Sequence, residues 1–360
     1  MRRSFWKEYM HEQKIITNPQ DNIQHEHREL GKVTVFNTVE MQRRKESSNS
    51  RSNIYQNMKL FLSYLENTEG KLDLVRVYLP MLSELMRLVL TYPNFKEVIE
   101  FYVENIALQL LNKHATFYVD PVLISGEAGI GKTSFCHAVS RVIRAPFDVI
   151  SFSSTTAGFV LSGSSPTWAD GKAGRIVEIL ATNKTANPYI MLDELDKAEG
   201  DGRYNPIGSL YQLLEEETAR SFVDEGLEIA CDCSKIVWVA TANEPDFIPA
   251  PLLSRFTIFH VKSPTDEEMR RVVKSIYSNV IKNNQWGEFF DRNISSNAVD
   301  RIIDSQISPR HIQKEIKSAC AKIAANHLLS KKQNVEGQFK VTEQSIKIKD
   351  QSVKSTIGFY

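Results

Sequence analysis

Residues Gly126, Glu127, Ala128, Gly129, Ile130, Gly131, Lys132 and Thr133, followed by Ser134, fit the pattern G-x-x-x-x-G-K-[ST]. That pattern holds phosphate. Glycines let the backbone wrap closely round an anion, so that several N–H groups and a helix N-terminus face it. Lys132 suits the β- and γ-phosphates of a nucleoside triphosphate, and the Thr133 hydroxyl suits its Mg²⁺. Further on, Tyr189, Ile190, Met191 and Leu192 run straight into Asp193 and Glu194. Asp193 fits the Mg²⁺ shell, and Glu194 is placed to orient or deprotonate a water for attack on the γ-phosphate. A third apolar run, 236–240, leads to Thr241, Ala242 and Asn243. The Asn243 amide can hydrogen-bond that water or the γ-phosphate, its plainer role being an Asx-turn.

These groups need a frame that brings them together. The spacing predicts strands at 122–125, 147–151, 189–192 and 235–241. Helices are predicted from Lys132, from about Arg175 and near 207–216. Such alternation argues for an α/β fold with a parallel sheet flanked by helices. An apolar strand that ends in carboxylates places them at the sheet's C-terminal edge, where ligands bind. After Pro264 the spacing is helical to about Leu329, which predicts a C-terminal all-α unit. Before the sheet, Leu60, Phe61, Tyr64 and Leu65, then Leu82, Leu85, Met86 and Leu90, recur at helical spacing. Pro80 and Pro93 break or start helices there. The first ~50 residues are polar, apart from a β-prone patch at 33–35 with Phe36 that needs a partner surface. The expected segments are a polar stretch 1–53, a mostly helical region 54–117, the α/β domain 118–263, the helical unit 264–330 and a tail 331–360.

Composition narrows the partners. Lysine and arginine number 44 against 44 acidic residues, so no net charge favours a polyanion, although Arg43, Arg44, Lys45 and Arg51 leave room for a local basic groove. No run nears the ~18–20 apolar residues of a membrane span. No apolar segment follows Arg2 and Arg3, and four cysteines make no disulfide framework, which together point to a reducing cytoplasm. The histidines show no metal-ligand spacing. Cys231 and Cys233 alternate on a predicted strand and read as ordinary thiols, since a structural zinc wants four ligands.

From about Asp120 to Thr342 the residues resemble the AAA+ ATPases, and within them the ATPase module of Lon proteases. The carrying text is Asp193-Glu194-Leu195-Asp196-Lys197, then 205–214 and Phe222-Val223-Asp224, then Thr241-Ala242-Asn243 and 248–255. The resemblance implies a P-loop ATPase with Asn243 as sensor 1. It makes Arg255 the arginine finger that reaches a neighbouring subunit's nucleotide, and Arg310 the sensor-2 arginine of a helical lid. A guanidinium, always charged, suits phosphate oxygens. A finger acting in trans implies a homo-oligomer, a hexameric ring by analogy. Trp168-Ala169 takes the place of the pore-loop pair that grips an extended polypeptide, with about 215–224 as a second pore loop.

The resemblance leaves out the Lon protease domain, so the expectation is a motor whose proteolytic or other effector activity comes from a partner. A nucleic-acid-associated ATPase or sensor governing an effector such as a nuclease is the less favoured alternative. The apolar end, Ile357 to Tyr360, reads as a final strand before it reads as a docking tail.

Overall fold

Short apolar runs fold into the inner strands of the predicted sheet because their residues are buried on both faces. The computed structural model describes residues 31–47, 69–112, 114–153, 159–164, 172–198, 207–330 and 338–346. The N-terminal part comprises β1 (Lys32–Thr34), α1 (Thr38–Ser47), β2 (Lys71–Asp73), α2 (Leu79–Arg87) and α3 (Lys96–Gln109). Then come β3 (Val122–Ser125), α4 (Lys132–Ile143), β4 (Phe147–Ser151), α5 (Arg175–Asn183), β5 (Tyr189–Asp193) and α6 (Gly208–Leu213). A hairpin of β6 (Phe222–Asp224) and β7 (Ile229–Cys231) precedes β8 (Val237–Ala242) and β9 (Thr257–His260). The chain continues through α7 (Asp266–Lys282), α8 (Ser296–Asp304) and α9 (Pro309–Leu329).

The main sheet has the order β4-β5-β8-β3-β9, and every neighbouring pair is parallel. One face packs Leu123, Ile190, Leu192 and Trp238 against Ile176 and Leu180 of α5 and Leu210 of α6. On the other, Phe95 stacks on Phe135 of α4 at 4.5 Å, and the Tyr102 and Tyr189 hydroxyls share a 2.7 Å hydrogen bond. Helices therefore cover both faces of a parallel sheet, as burial of its strands demands.

Two departures from the sequence reading have plain causes. β9 went unpredicted: it is an edge strand of four residues, partly exposed along its length, so no apolar run marks it. β2 lies inside the stretch that reads as helical. Its strand conformation comes from pairing with β1, Val33 opposite Leu72. The patch at 33–35 thereby finds its partner surface, and a second one: Phe36 bridges Cys231, and the Asp232 N–H donates to the Val35 carbonyl at 2.9 Å. The Cys231 and Cys233 sulfurs lie 3.4 Å apart in the core, and burial pushes the Cys233 thiol well up.

α7 to α9 have their own core, with Val273, Tyr277, Ile302, Ile312 and Ile316 joined by Val341 and Ile346 from the segment after α9. A capping box, Thr265 with Glu268, starts α7. Among the described residues no helix is long and apolar enough to cross a membrane.

Asn187 fastens the N-terminal part to the sheet. Its side chain is buried, accepts from the Val75 N–H at 2.7 Å, and donates to the carbonyls of Val75 at 3.1 Å and Phe117 at 2.9 Å. Asn187→Ala leaves these backbone groups unpaired and is expected to cost about 2–4 kcal/mol. A lowered urea midpoint checks this; an unchanged midpoint would show that the clamp contributes nothing.

Candidate active site

Parallel strands align their C-terminal ends, so the polar residues that end β3, β5 and β8 emerge along one edge. Register makes this specific: Ser125 lies opposite Ala242, and Leu192 opposite Ala240. Asp193 and Thr241 are thus neighbours at the edge, beside the loop that leaves β3. Gly126 begins that loop at φ +156°, and a Cβ there would stand 2.2 Å from the Val261 carbonyl oxygen. Only glycine fits so close to another backbone. Gly131 ends the loop as the N-cap of α4.

Lys132 folds back across the loop. Its ammonium donates to the Gly126 carbonyl at 2.5 Å, the Glu127 carbonyl at 3.0 Å and Asn243 Oδ1 at 2.8 Å. Burial lowers its pKa, while the nearby Asp196, Asp193 and Glu194 carboxylates work the other way. The loop, Asn243 and the carboxylates therefore share one electrostatic centre.

Thr241 holds the carboxylate pair in place. Its hydroxyl donates to Asp193 Oδ1 at 2.7 Å and accepts from the Glu194 N–H at 3.0 Å, and the residue is fully buried. Glu194 itself has φ +55°, a conformation that non-glycine residues adopt at a cost and that concentrates at functional sites. A buried threonine that spends its donor and acceptor on the two acidic residues is a positioning group. The sequence reading named Thr241 without a role, because its partners lie across the sheet.

The cleft above this edge holds about 760 Å³, within the range of small-molecule sites. Ala128, Gly129, Ile130, Gly131, Lys132, Thr133, Ser134, Asp193, Glu194 and Asn243 line it, and α9 adds Pro309, Arg310 and Gln313. The first turn of α9 holds no acidic residue, so Arg310 stands at the positive end of a helix dipole with no carboxylate in that turn to offset it. An anion in the cleft would relieve that. Thr133 and Asp193 line the same cleft, and a hydroxyl and a carboxylate supplemented by water are the oxygen donors that Mg²⁺ takes. The residues fit the ion. When bound, it would neutralise phosphate charge.

A third wall was not foreseen. Thr91, Tyr92 and Asn94, from the turns between α2 and α3, line the cleft. The Tyr92 hydroxyl lies 2.8 Å from Ser134 Oγ, Asn94 donates to the Lys262 carbonyl at 3.1 Å, and Ser275 of α7 donates to Thr91 Oγ1 at 3.0 Å. The only sequence signal was Pro93 as a helix start.

Arg255 stands apart from the lining. It donates to the Pro251 carbonyl at 2.5 Å, pairs with Glu215 at 3.5 Å and lies 5.3 Å from the centre of the Tyr211 ring. The structure therefore gathers Lys132, Thr133, Asp193, Glu194, Asn243 and Arg310, and does not bring Arg255 to them. Trp168, Ala169 and the end 357–360 lie outside the described residues.

Residues 122–263 match the model of the ATPase family associated with various cellular activities (AAA). Lon protease of Nitrosococcus oceani is 32% identical over 61% of this chain and 27% of its own length. Lon protease of Heliobacterium modesticaldum is 30% identical over 55% of the chain and 25% of its own length. The mitochondrial Lon protease homolog of Aspergillus niger is 25% identical over 82% of the chain and 28% of its own length. The chain thus spans little more than a quarter of the relatives it matches. Its parallel sheet, its phosphate loop and these matches agree: the domain of residues 122–263 belongs to the AAA family, in a form similar to Lon protease.

Proposed function

We propose that the chain hydrolyses ATP with Mg²⁺ as one subunit of a ring, hexameric by analogy, and that nucleotide cycling lets it pull on, unfold or switch a protein partner. The observation that carries this reading is the division of the two arginines. Arg310 borders the chain's own cleft, whereas Arg255 lies outside it. A cleft with phosphate loop, carboxylates and amide but without its finger calls for a neighbour to supply one, and such a residue is worth about 10³–10⁵ in rate in GTPases. In this reading Arg310 closes the lid on the nucleotide, and the resulting motion reaches the loop bearing Trp168. The similarity to Lon proteases supports a polypeptide as the partner, with any proteolytic or other effector activity carried by a separate chain.

Mixing tests the ring. Arg255→Ala subunits retain an intact cleft, and Lys132→Ala subunits retain an intact finger. Each alone is expected to be nearly inactive. In a 1:1 mixture about a quarter of the sites combine an intact cleft with an intact neighbouring finger, so ATP turnover should return to a sizeable fraction of wild type. A mixture no more active than its parts would rule out a finger acting across an interface.

A further inference from the structure

Asp224 ends β6 and is a buried carboxylate that does not line the nucleotide cleft. Three backbone N–H groups hold it. Gly226 and Leu227 donate to Oδ1 at 3.0 and 2.8 Å, and Gly174 donates to Oδ2 at 2.7 Å. The first two bonds close the turn of the β6–β7 hairpin, which any Asx-turn would do. The third does something else. Gly174 is the N-cap of α5, so one oxygen ties the hairpin to the start of a helix from another part of the chain, where the helix dipole also favours an anion.

The segments around this carboxylate are packed backbone to backbone. The Glu225 N–H donates to the Ser162 carbonyl at 2.6 Å, and Ser162 Oγ donates to Glu225 Oε1 at 3.3 Å. Ser164 and Lys172 are joined twice: the Ser164 N–H donates to the Lys172 carbonyl, and the Lys172 N–H donates to Ser164 Oγ, both at 2.9 Å. A Cβ on Gly226 would stand 1.9 Å from the Lys172 carbonyl oxygen, so only glycine permits the contact. In sequence, Ser164 and Lys172 flank residues 165–171, Trp168 among them. Helix start and hairpin turn thus meet on one side chain, and the segment before Ser164 packs against it, since a Cβ on Gly163 would stand 2.9 Å from Asp224 Oδ1. Burial pushes the carboxyl up to about 6 against the pull of its three donors, so it is still largely ionised at neutral pH. A buried charge makes stronger hydrogen bonds than a neutral amide would, and a group serving the hairpin turn alone has no need of it.

We propose that Asp224 is a positioning residue that fastens 162–164 and 172–174, the residues on either side of the Trp168 segment, to the β6–β7 hairpin, so that they move as one body during the ATP cycle. The functional half of this rests on Trp168 contacting polypeptide, as read above; the mechanical half does not.

Hydrogen exchange on the full chain tests the mechanical half. In the wild type, 172–174 and 224–227 should change protection together between ADP and a non-hydrolysable ATP analogue. Independent changes would overturn the proposal without recourse to any variant. Asp224→Asn replaces one accepting oxygen with an amide that faces N–H donors. It is expected to speed exchange at Gly174, Gly226 or Leu227 by about 10- to 100-fold, with β5 and β8 as protected as before. The same variant should bring the ratio of ATP turnover with reduced, carboxymethylated lactalbumin to turnover without it close to one, if the wild type is stimulated. Wild-type protection at these amides in Asp224→Asn, or raised exchange with a wild-type ratio, would sink the proposal. Trp168→Ala separates the two ideas. If that variant keeps the wild-type ratio, the polypeptide-contact reading fails, and the exchange comparison alone decides the coupling.

Discussion

Glu194→Gln is expected to bind ATP as the wild type does and to hydrolyse it about 10²–10⁴-fold more slowly, the span usual for losing a general base. Nothing in the geometry predicts a change of shape. The Glu194 backbone is held by its own N–H bond to Thr241, and glutamine has the same volume and reach. What disappears is the ability to take a proton from the attacking water. Tight nucleotide with slow turnover therefore distinguishes a lost base from a damaged pocket. Fluorescent-nucleotide titration and single-turnover hydrolysis measure the two quantities separately. Wild-type turnover would remove this carboxylate from the chemistry.

Lys132→Ala should fail one step earlier. Hydrogen bonds to a charged group contribute about 1.5–3 kcal/mol each, so losing contacts to two phosphates should weaken ATP binding by about 10²–10⁴-fold. The protein itself should tolerate the change. The Glu127 carbonyl that accepts from the ammonium is exposed and the loop from Ala128 onward lines an open cleft, so water can take the ammonium's place. Unchanged thermal unfolding together with lost nucleotide binding is the expected pair of results. Retained ATP affinity would mean that the loop does not hold phosphate in the way its sequence implies.

The frame of this cleft was readable because burial on both faces leaves little choice of residue. β3 and β5 are runs of apolar residues buried up to the polar Ser125 and Asp193 that end them, and the predicted positions of β3, β4 and β5 lie within a residue of those observed. β8 begins two residues later than expected, because Ser234 and Lys235 form a turn closed by the Ile236 N–H donating to the Cys233 carbonyl at 3.2 Å. β1, β2 and β9 are three or four residues long and owe their conformation to neighbours far away in sequence, so local pattern carries little of it. The site divides in the same way. A loop of consecutive residues such as 126–134 is legible as text. Tyr92 meeting Ser134, Thr241 joining Asp193 to Glu194, and Asp224 reaching Gly174 are not, since each depends on how separate elements pack.

The strand order also bears on the time at which the site can form. β4 and β5 lie together in sequence and can pair early. β3, which carries the phosphate loop, has only β8 and β9 as neighbours, and these are the last strands of the sheet to be made. During synthesis, at roughly 5–20 residues per second, this inner strand therefore waits on the order of ten seconds with both edges unpaired. All four of its residues are apolar or buried in the finished protein, which makes that interval the nascent chain's most exposed to aggregation. The cleft is completed late in translation, and cells short of nascent-chain chaperones should lose this protein to aggregates during synthesis while sparing molecules already folded.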